Sequence, residues 1–173
     1  MHNDGHDHNH GAGGEKSVIR AAVLTVSDRG SRGEREDTAG PALRGLLEAL
    51  EGVEVVERDI VPDERETIAA RLRQWAPSVD LILTTGGTGL SDRDVTPEAL
   101  SEVADRVVPG LGELMRAESL KHTPNAPLSR ALAVTLGRCL IAALPGSERG
   151  ARQCFEAIRP SLRHAVDTLQ GRA

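Results

Sequence analysis

The sequence predicts an α/β protein built on an open, mostly parallel sheet, and three observations carry that expectation. Runs rich in branched apolar residues alternate with segments of helical spacing in β-α-β-α-β order, the pattern of right-handed crossover units. The third run, VDLILTT (Val79 to Thr85), is apolar almost without interruption, as in a strand covered on both faces. Directly after it the chain breaks into Gly86-Gly87-Thr88-Gly89, a glycine loop between strand and helix. A chain of 173 residues is one domain by size, long enough to bury roughly two-thirds of the surface its unfolded form exposes.

The elements follow in order. Residues 1–16, MHNDGHDHNHGAGGEK, are poor in apolar side chains and rich in Gly, His, Asn and Asp, so they predict a disordered tail. His2, His6, His8 and His10 can chelate a transition metal there, without the fixed geometry of a built site. Residues 17–173 form the single α/β domain. VIRAAVLTVS reads as the first strand and stops at Asp28-Arg29-Gly30; after a polar stretch, TAGPALRGLLEALE reads as a helix. VEVVERDIVP and ERETIAARLRQWA repeat strand and helix. Beyond Leu100 the spacing predicts a helix to about Ala104, another from near Pro109 through GLGELMRAESL, and an irregular KHTPNAPLSR. ALAVTLGRCLIAALPG reads as two short strands turned at Gly137-Arg138, and ARQCFEAIRPSLRHAVDTLQ as a closing helix disturbed at Pro160.

Composition narrows the function. A net charge of -5 works against non-specific nucleic-acid binding, and Trp75 and Phe155 are the only aromatic residues on which a base could stack. No apolar run reaches the roughly 18 residues of a membrane span, and the amino terminus lacks the apolar stretch of a secretory signal. Cys139 and Cys154 lie in no metal or redox spacing and read as reduced core thiols. These features point to a soluble, cytoplasmic protein that binds neither nucleic acid nor membrane.

In open α/β sheets ligands bind beyond the carboxyl ends of the strands, where the glycine loop stands. Its N–H groups can approach an anion closely, and the hydroxyls of Thr84, Thr85 and Thr88 add donors, so phosphate suits it. The loop carries neither GxxxxGK[ST] nor GxGxxG, so a tight strand-to-helix turn is an equally good reading of the loop by itself. Asp92 and Asp94 follow, then Thr96-Pro97-Glu98, which reads as an N-cap, an N1 proline and a first-turn acid. Asp94, free of capping, suits Mg²⁺ shared with a phosphate, or is a solvated acid. Asp63 with Glu66 has the spacing of a capping box, yet it also ends a strand, so Asp63 and Asp94 can face one crevice. Ser27, Asp28 and Arg29 end the first strand, and Arg29, Arg32, Arg35, Arg93 and Arg130 offer guanidinium donors to phosphate oxygens.

In order along the chain, TVSDRGSRGEREDTAGPAL, DIVPDE, LILTTGGTGLSDRDVTPEAL, PGLGELMR, LSRA and LPGS closely resemble the MogA/MoaB family of molybdenum-cofactor biosynthesis proteins, relatives of the gephyrin G domain. The match runs from about Val18 to the final helix. The resemblance implies a three-layer α/β/α sandwich, a homotrimer or hexamer, and a molybdopterin adenylyltransferase that uses Mg²⁺ and ATP to adenylylate the terminal phosphate of molybdopterin. That step precedes molybdate insertion, which makes the inserting enzyme a possible partner. It puts the functional aspartates, also the Mg²⁺ ligands, at Asp63 and Asp94. The substrate-binding set it implies is Ser27, Asp28, Arg29, Thr85, Gly86, Gly87, Thr88, Gly89, Ser129, Arg130, Pro145, Gly146 and Ser147. The chain departs from the family after Ser147, where Glu148-Arg149-Gly150 replaces a frequent proline. The resemblance also accommodates a pterin-binding or scaffold protein with little activity, and a molybdate-inserting relative, which usually carries further domains.

Overall fold

The computed structural model describes residues 17–173, so the reading of residues 1–16 as a disordered tail lies outside the described residues. One sheet of six strands organises the chain, in the order β2-β1-β3-β6-β5-β4. β1 (Ile19–Val26), β2 (Val53–Val61), β3 (Leu81–Thr85) and β6 (Cys139–Leu144) run parallel. β5 (Leu132–Leu136) is antiparallel to β6, to which it is joined by the tight turn expected at Gly137-Arg138, and β4 (Arg106–Val107) is antiparallel to β5. β4 has no counterpart in the sequence reading, because two residues carry no period.

Helices cover both faces. α2 (Ala39–Glu48), α5 (Pro109–Leu120) and α6 (Glu148–Leu169) pack on one face, where Leu43, Leu47, Met115, Phe155, Ile158 and Leu162 meet Ala21, Val23, Leu81 and Leu83. α3 (Arg65–Trp75) and α4 (Thr96–Val103) cover the other, where Ile68, Leu72 and Leu100 meet Ala22, Leu24, Ile82 and Ile141. Successive residues of β1 thus feed opposite layers, and all five residues of β3 are buried. That explains why the central strand is apolar without alternation. The result is a three-layer α/β/α sandwich. No described helix is long and apolar enough to cross a membrane.

α6 runs unbroken through Pro160, which the sequence reading had disturbing the helix. The proline removes one N–H donor, but the exposed residue sits on the outer side while Ala151, Cys154, Phe155, Ile158, Leu162 and Val166 hold the inner face to the sheet. The helix also begins three residues earlier than the spacing suggested, because the Ser147 hydroxyl accepts the Gly150 N–H and caps it.

Phe155 is fully buried at the centre of the first layer. Phe155→Ala is expected to lower the free energy of unfolding by about 3–5 kcal/mol in a denaturant titration, with a loss below about 1 kcal/mol counting against this packing.

Candidate active site

From β1 the chain moves outward to β2, then returns past β1 to β3, so the topology reverses between β1 and β3. The carboxyl ends of those two strands open a crevice there, and both the Ser27 end and the glycine loop sit on it. Gly86 (φ 102°) and Gly87 (φ 69°) take backbone conformations that side chains disfavour. A methyl group on Gly86 would run into the Val26 carbonyl of β1, and one on Gly87 into the Thr96 hydroxyl. Thr96 is not the helix cap the sequence suggested: Val95 occupies that position, and the Thr96 hydroxyl instead donates to the Gly86 carbonyl at 2.8 Å. The Thr96 N–H donates to the Gly87 carbonyl, so the start of α4 is tied to the loop and not to its own first turn.

Asp63 is likewise not a cap. Glu64 stands at the N-cap of α3 and makes no side-chain capping bond, while Asp63 turns back to the end of β1. Its Oδ2 accepts the Asp28 N–H at 2.8 Å, and its own N–H donates to Asp28 Oδ1 at 3.0 Å. This reciprocal pair leaves Asp63 Oδ1 3.3 Å from where a Gly87 methyl would lie. Asp94 approaches from the other side: its Oδ2 accepts the Ser91 N–H and hydroxyl, at 3.0 and 2.7 Å. The same carboxylate lies 2.8 Å from the position of a Gly89 methyl group. The two aspartates therefore flank the glycine loop.

Their charges are unequally supported. Arg93 grips Asp28 with two hydrogen bonds, of 2.9 and 2.8 Å, and holds the Asp28 carboxyl below the usual carboxylate range. Burial pushes Asp63 above that range against the Asp28 N–H bond, and the charges of Asp28 and Asp94 push it further. Cys139 and Cys154 offer no nucleophile: burial pushes the first thiol up to about 12 and raises the second.

Two cavities meet at the loop. The larger, about 550 Å³, is lined by Thr88, Gly89, Ser129 and Pro145 together with Ser119, His122, Asn125, Arg149 and Gln153. The smaller, about 290 Å³, is lined by Ser27, Asp63, Thr85 and Gly86 together with Thr25, Arg35 and Asp37. Gly87, Asp94, Gly146 and Ser147 belong to both walls. The site residues expected from sequence divide accordingly. Ser27 caps the short helix α1 (Asp28–Ser31), accepting the Gly30 N–H, and the Thr85 hydroxyl is taken by the Pro145 carbonyl at 2.7 Å. Asp28 braces Asp63 without lining either cavity, Arg29 is exposed and also lines neither, and the Thr84 hydroxyl is buried without a partner. Of the arginines, Arg32 pairs with Glu34, Arg93 with Asp28 and Arg130 with Glu98; Arg35 alone of the five lines a cavity.

The sequence reading missed Asp37, whose carboxylate accepts from the Thr25 hydroxyl and the Gly40 N–H at the start of α2. An acid three residues before Gly40-Pro41 is a visible helix-start signal, but its place beside the loop is not. His122, Asn125 and Gln153 carried no signal, because they come together only when α5 packs on α6. Among the described residues no group of three His, Cys, Asp or Glu side chains is arranged to hold a metal ion.

The family model described as "Probable molybdopterin binding domain" matches residues 22–164. The chain belongs to that family. A protein of Helicobacter pylori (strain J99) named molybdopterin adenylyltransferase is 42% identical over 157 residues, covering 89% of each chain. One of the same name from Escherichia coli (strain K12) is 40% identical over 153 residues, 87% of this chain and 78% of that one. The crystal structure of the molybdopterin biosynthesis enzyme MoaB from Thermus thermophilus superposes with a TM-score of 0.84 at 52% identity, covering 89% of this chain and 98% of that one. The crevice of this molybdopterin-binding-family member thus stands on a fold shared along almost the whole described chain.

Folding raises the Asp63 pKa, so the ionised carboxylate disfavours the folded state above that raised value, and the penalty fades as pH falls through it. Asp63→Asn keeps an oxygen for the Asp28 N–H. It is expected to be at least as stable as the wild type at neutral pH and to lose any advantage as pH enters the carboxylate range. Thermal unfolding against pH measures this; a variant less stable at neutral pH would contradict it.

Proposed function

We propose that the chain is a molybdopterin adenylyltransferase acting in molybdenum cofactor biosynthesis. Its substrates are molybdopterin and Mg·ATP, and its products adenylyl-molybdopterin and pyrophosphate. The observation that carries this reading is the pair of cavities joined at Gly87, Asp94, Gly146 and Ser147, beside two carboxylates. Two ligands, one in each cavity, would bring their phosphates together at that seam.

The chemistry needs positioning and charge neutralisation more than a protein nucleophile. A terminal phosphate oxygen of molybdopterin attacks the α-phosphorus of ATP, the new P–O bond forms, and the bond to the β-phosphate breaks as pyrophosphate leaves. Asp63 and Asp94 would hold Mg²⁺ through hard carboxylate oxygens, and because no third such side chain joins them among the described residues, the cation would be shared with substrate phosphates. When bound there, Mg²⁺ supplies Lewis-acid neutralisation of the phosphates. Gly87, Gly146 and Ser147 line the seam, where backbone N–H groups would meet the phosphate charge, and Arg35 and Arg149 stand one in each cavity as further cations. A pterin-binding scaffold without turnover is the less favoured reading, given the curated relatives' name and both aspartates at the seam.

We also propose a homotrimer or a dimer of trimers. Leu114 and Leu120 on α5, Leu128 in the 3₁₀ turn Ala126–Leu128, and Val107 on the short edge strand β4 are all exposed, and such side chains suit a subunit contact. The buried free thiols fit a reducing cytoplasm, where the product would pass to the molybdate-inserting enzyme.

Incubation with molybdopterin, ATP and Mg²⁺ is expected to give adenylylated pterin and pyrophosphate in equal amounts; tight pterin binding without product would favour the scaffold. Asp94→Asn removes the charge with little change in shape, and is expected to slow transfer about 10²-fold or more, a loss of about 2.7 kcal/mol. Near-normal product formation by both Asp63→Asn and Asp94→Asn would refute the carboxylate mechanism. Light scattering at low micromolar concentration is expected to show a trimer or hexamer; a lone monomer of about 18 kDa would exclude both.

A further inference from the structure

Arg130 stands between the 3₁₀ turn and β5, where the sequence offered it as a donor to phosphate. All three of its guanidinium nitrogens are instead directed at protein acceptors. Nε donates to the Gly89 carbonyl at 2.9 Å, one terminal nitrogen to the Asp94 carbonyl at 2.6 Å, and the other pairs with Glu98 in the first turn of α4. Its backbone N–H donates to the Thr88 carbonyl at 2.9 Å. One residue therefore ties both ends of the Thr88–Asp94 loop to the helix that follows it.

The tie is itself braced. Arg116 on α5 donates to the carbonyls of Ser129 and Ala131, at 3.4 and 2.6 Å, on either side of Arg130. The second carboxylate oxygen of Glu98 is buried without a partner. The Arg130 guanidinium is thus the partner that the Glu98 carboxylate has among the described residues. Among the described residues the Asp94 carboxylate is oriented by Ser91, within the same loop; Arg93 moors the loop outward to Asp28, and Arg130 holds its backbone at Thr88, Gly89 and Asp94.

We propose that Arg130 is a positioning residue and not a phosphate ligand: its planar fork fixes the Thr88–Asp94 loop so that Asp94 lines the seam, and Arg116 fixes Arg130. The role of Asp94 in turnover rests on the adenylyltransferase reading; the tie between Arg130 and the loop does not. Lysine separates the two functions. An ammonium preserves the charge that a phosphate would feel, but it cannot reach Gly89 O, Asp94 O and Glu98 at once.

The experiment has a kinetic arm and a structural arm, both on the full chain. Arg130→Lys is expected to lower kcat about 10-fold or more with the KM for ATP changed less than about twofold. Added to Asp94→Asn, it should cost less than about twofold more, because both changes act through one carboxylate. Without substrate, hydrogen exchange of the residue 88–94 amides should rise about 10-fold or more while β3 and β6 keep their protection. Arg116→Met, which leaves Arg130 itself intact, should loosen residues 129–131 and 88–94 together. Unchanged loop exchange overturns the proposal whether or not the wild type transfers adenylate. So does a rise in KM alone, full activity of Arg130→Lys, or loosening confined to residues 129–131 in Arg116→Met.

Discussion

The site depends on one close passage of the backbone. Between β3 and α4 the chain must slip past the Val26 carbonyl of β1 on one side and the Thr96 hydroxyl on the other, with no room for a Cβ at Gly86 or Gly87. The loop's carbonyls are taken by Thr96 and Arg130 and the Gly86 N–H by the Leu144 carbonyl, while Gly87, Thr88 and Gly89 line the crevice. The same passage brings Asp63, at the end of β2, and Asp94, in the loop's own descent, to opposite sides of Gly87 and Gly89.

Electrostatics run against stability at this point. Burial raises the Asp63 pKa, and the charges of Asp28 and Asp94 add to it. Arg93 is taken by Asp28 and does not hydrogen-bond Asp63. Perturbed groups of this kind gather at functional sites. The smaller cavity repeats the theme, with Asp37 and Asp63 in its wall and only Arg35 opposed to them among the arginines.

The rest of the fold serves as a rigid frame for that arrangement. Four parallel strands end near one edge of the sheet, and the antiparallel β5 returns the chain so that Arg130, just ahead of it, reaches the glycine loop. α6 then starts at Ser147 on the far wall of the same crevice. Glu148-Arg149-Gly150 opens that helix: the Ser147 hydroxyl caps it through the Gly150 N–H, and Arg149 lines the larger cavity.

The sequence by itself determined the layers and the position of the crevice. Alternating branched and helical periods, the uninterrupted apolar run before Gly86, and the glycines themselves are local signals, and local signals survive without a structure. They placed the aspartates at strand ends but misread their bonds: Asp63 looked like a cap and is tied to Asp28, and Thr96 looked like a cap and is tied to Gly86. Those partners lie 35 and 10 residues away, beyond the reach of any capping pattern. Only the tertiary structure decided which arginines face the cavities and which hold the loop, because a guanidinium reads the same in sequence whether it meets a phosphate or three acceptors of its own chain. It also decided that His122, Asn125 and Gln153 share a wall, since that wall exists only where α5 and the turn after it pack against α6.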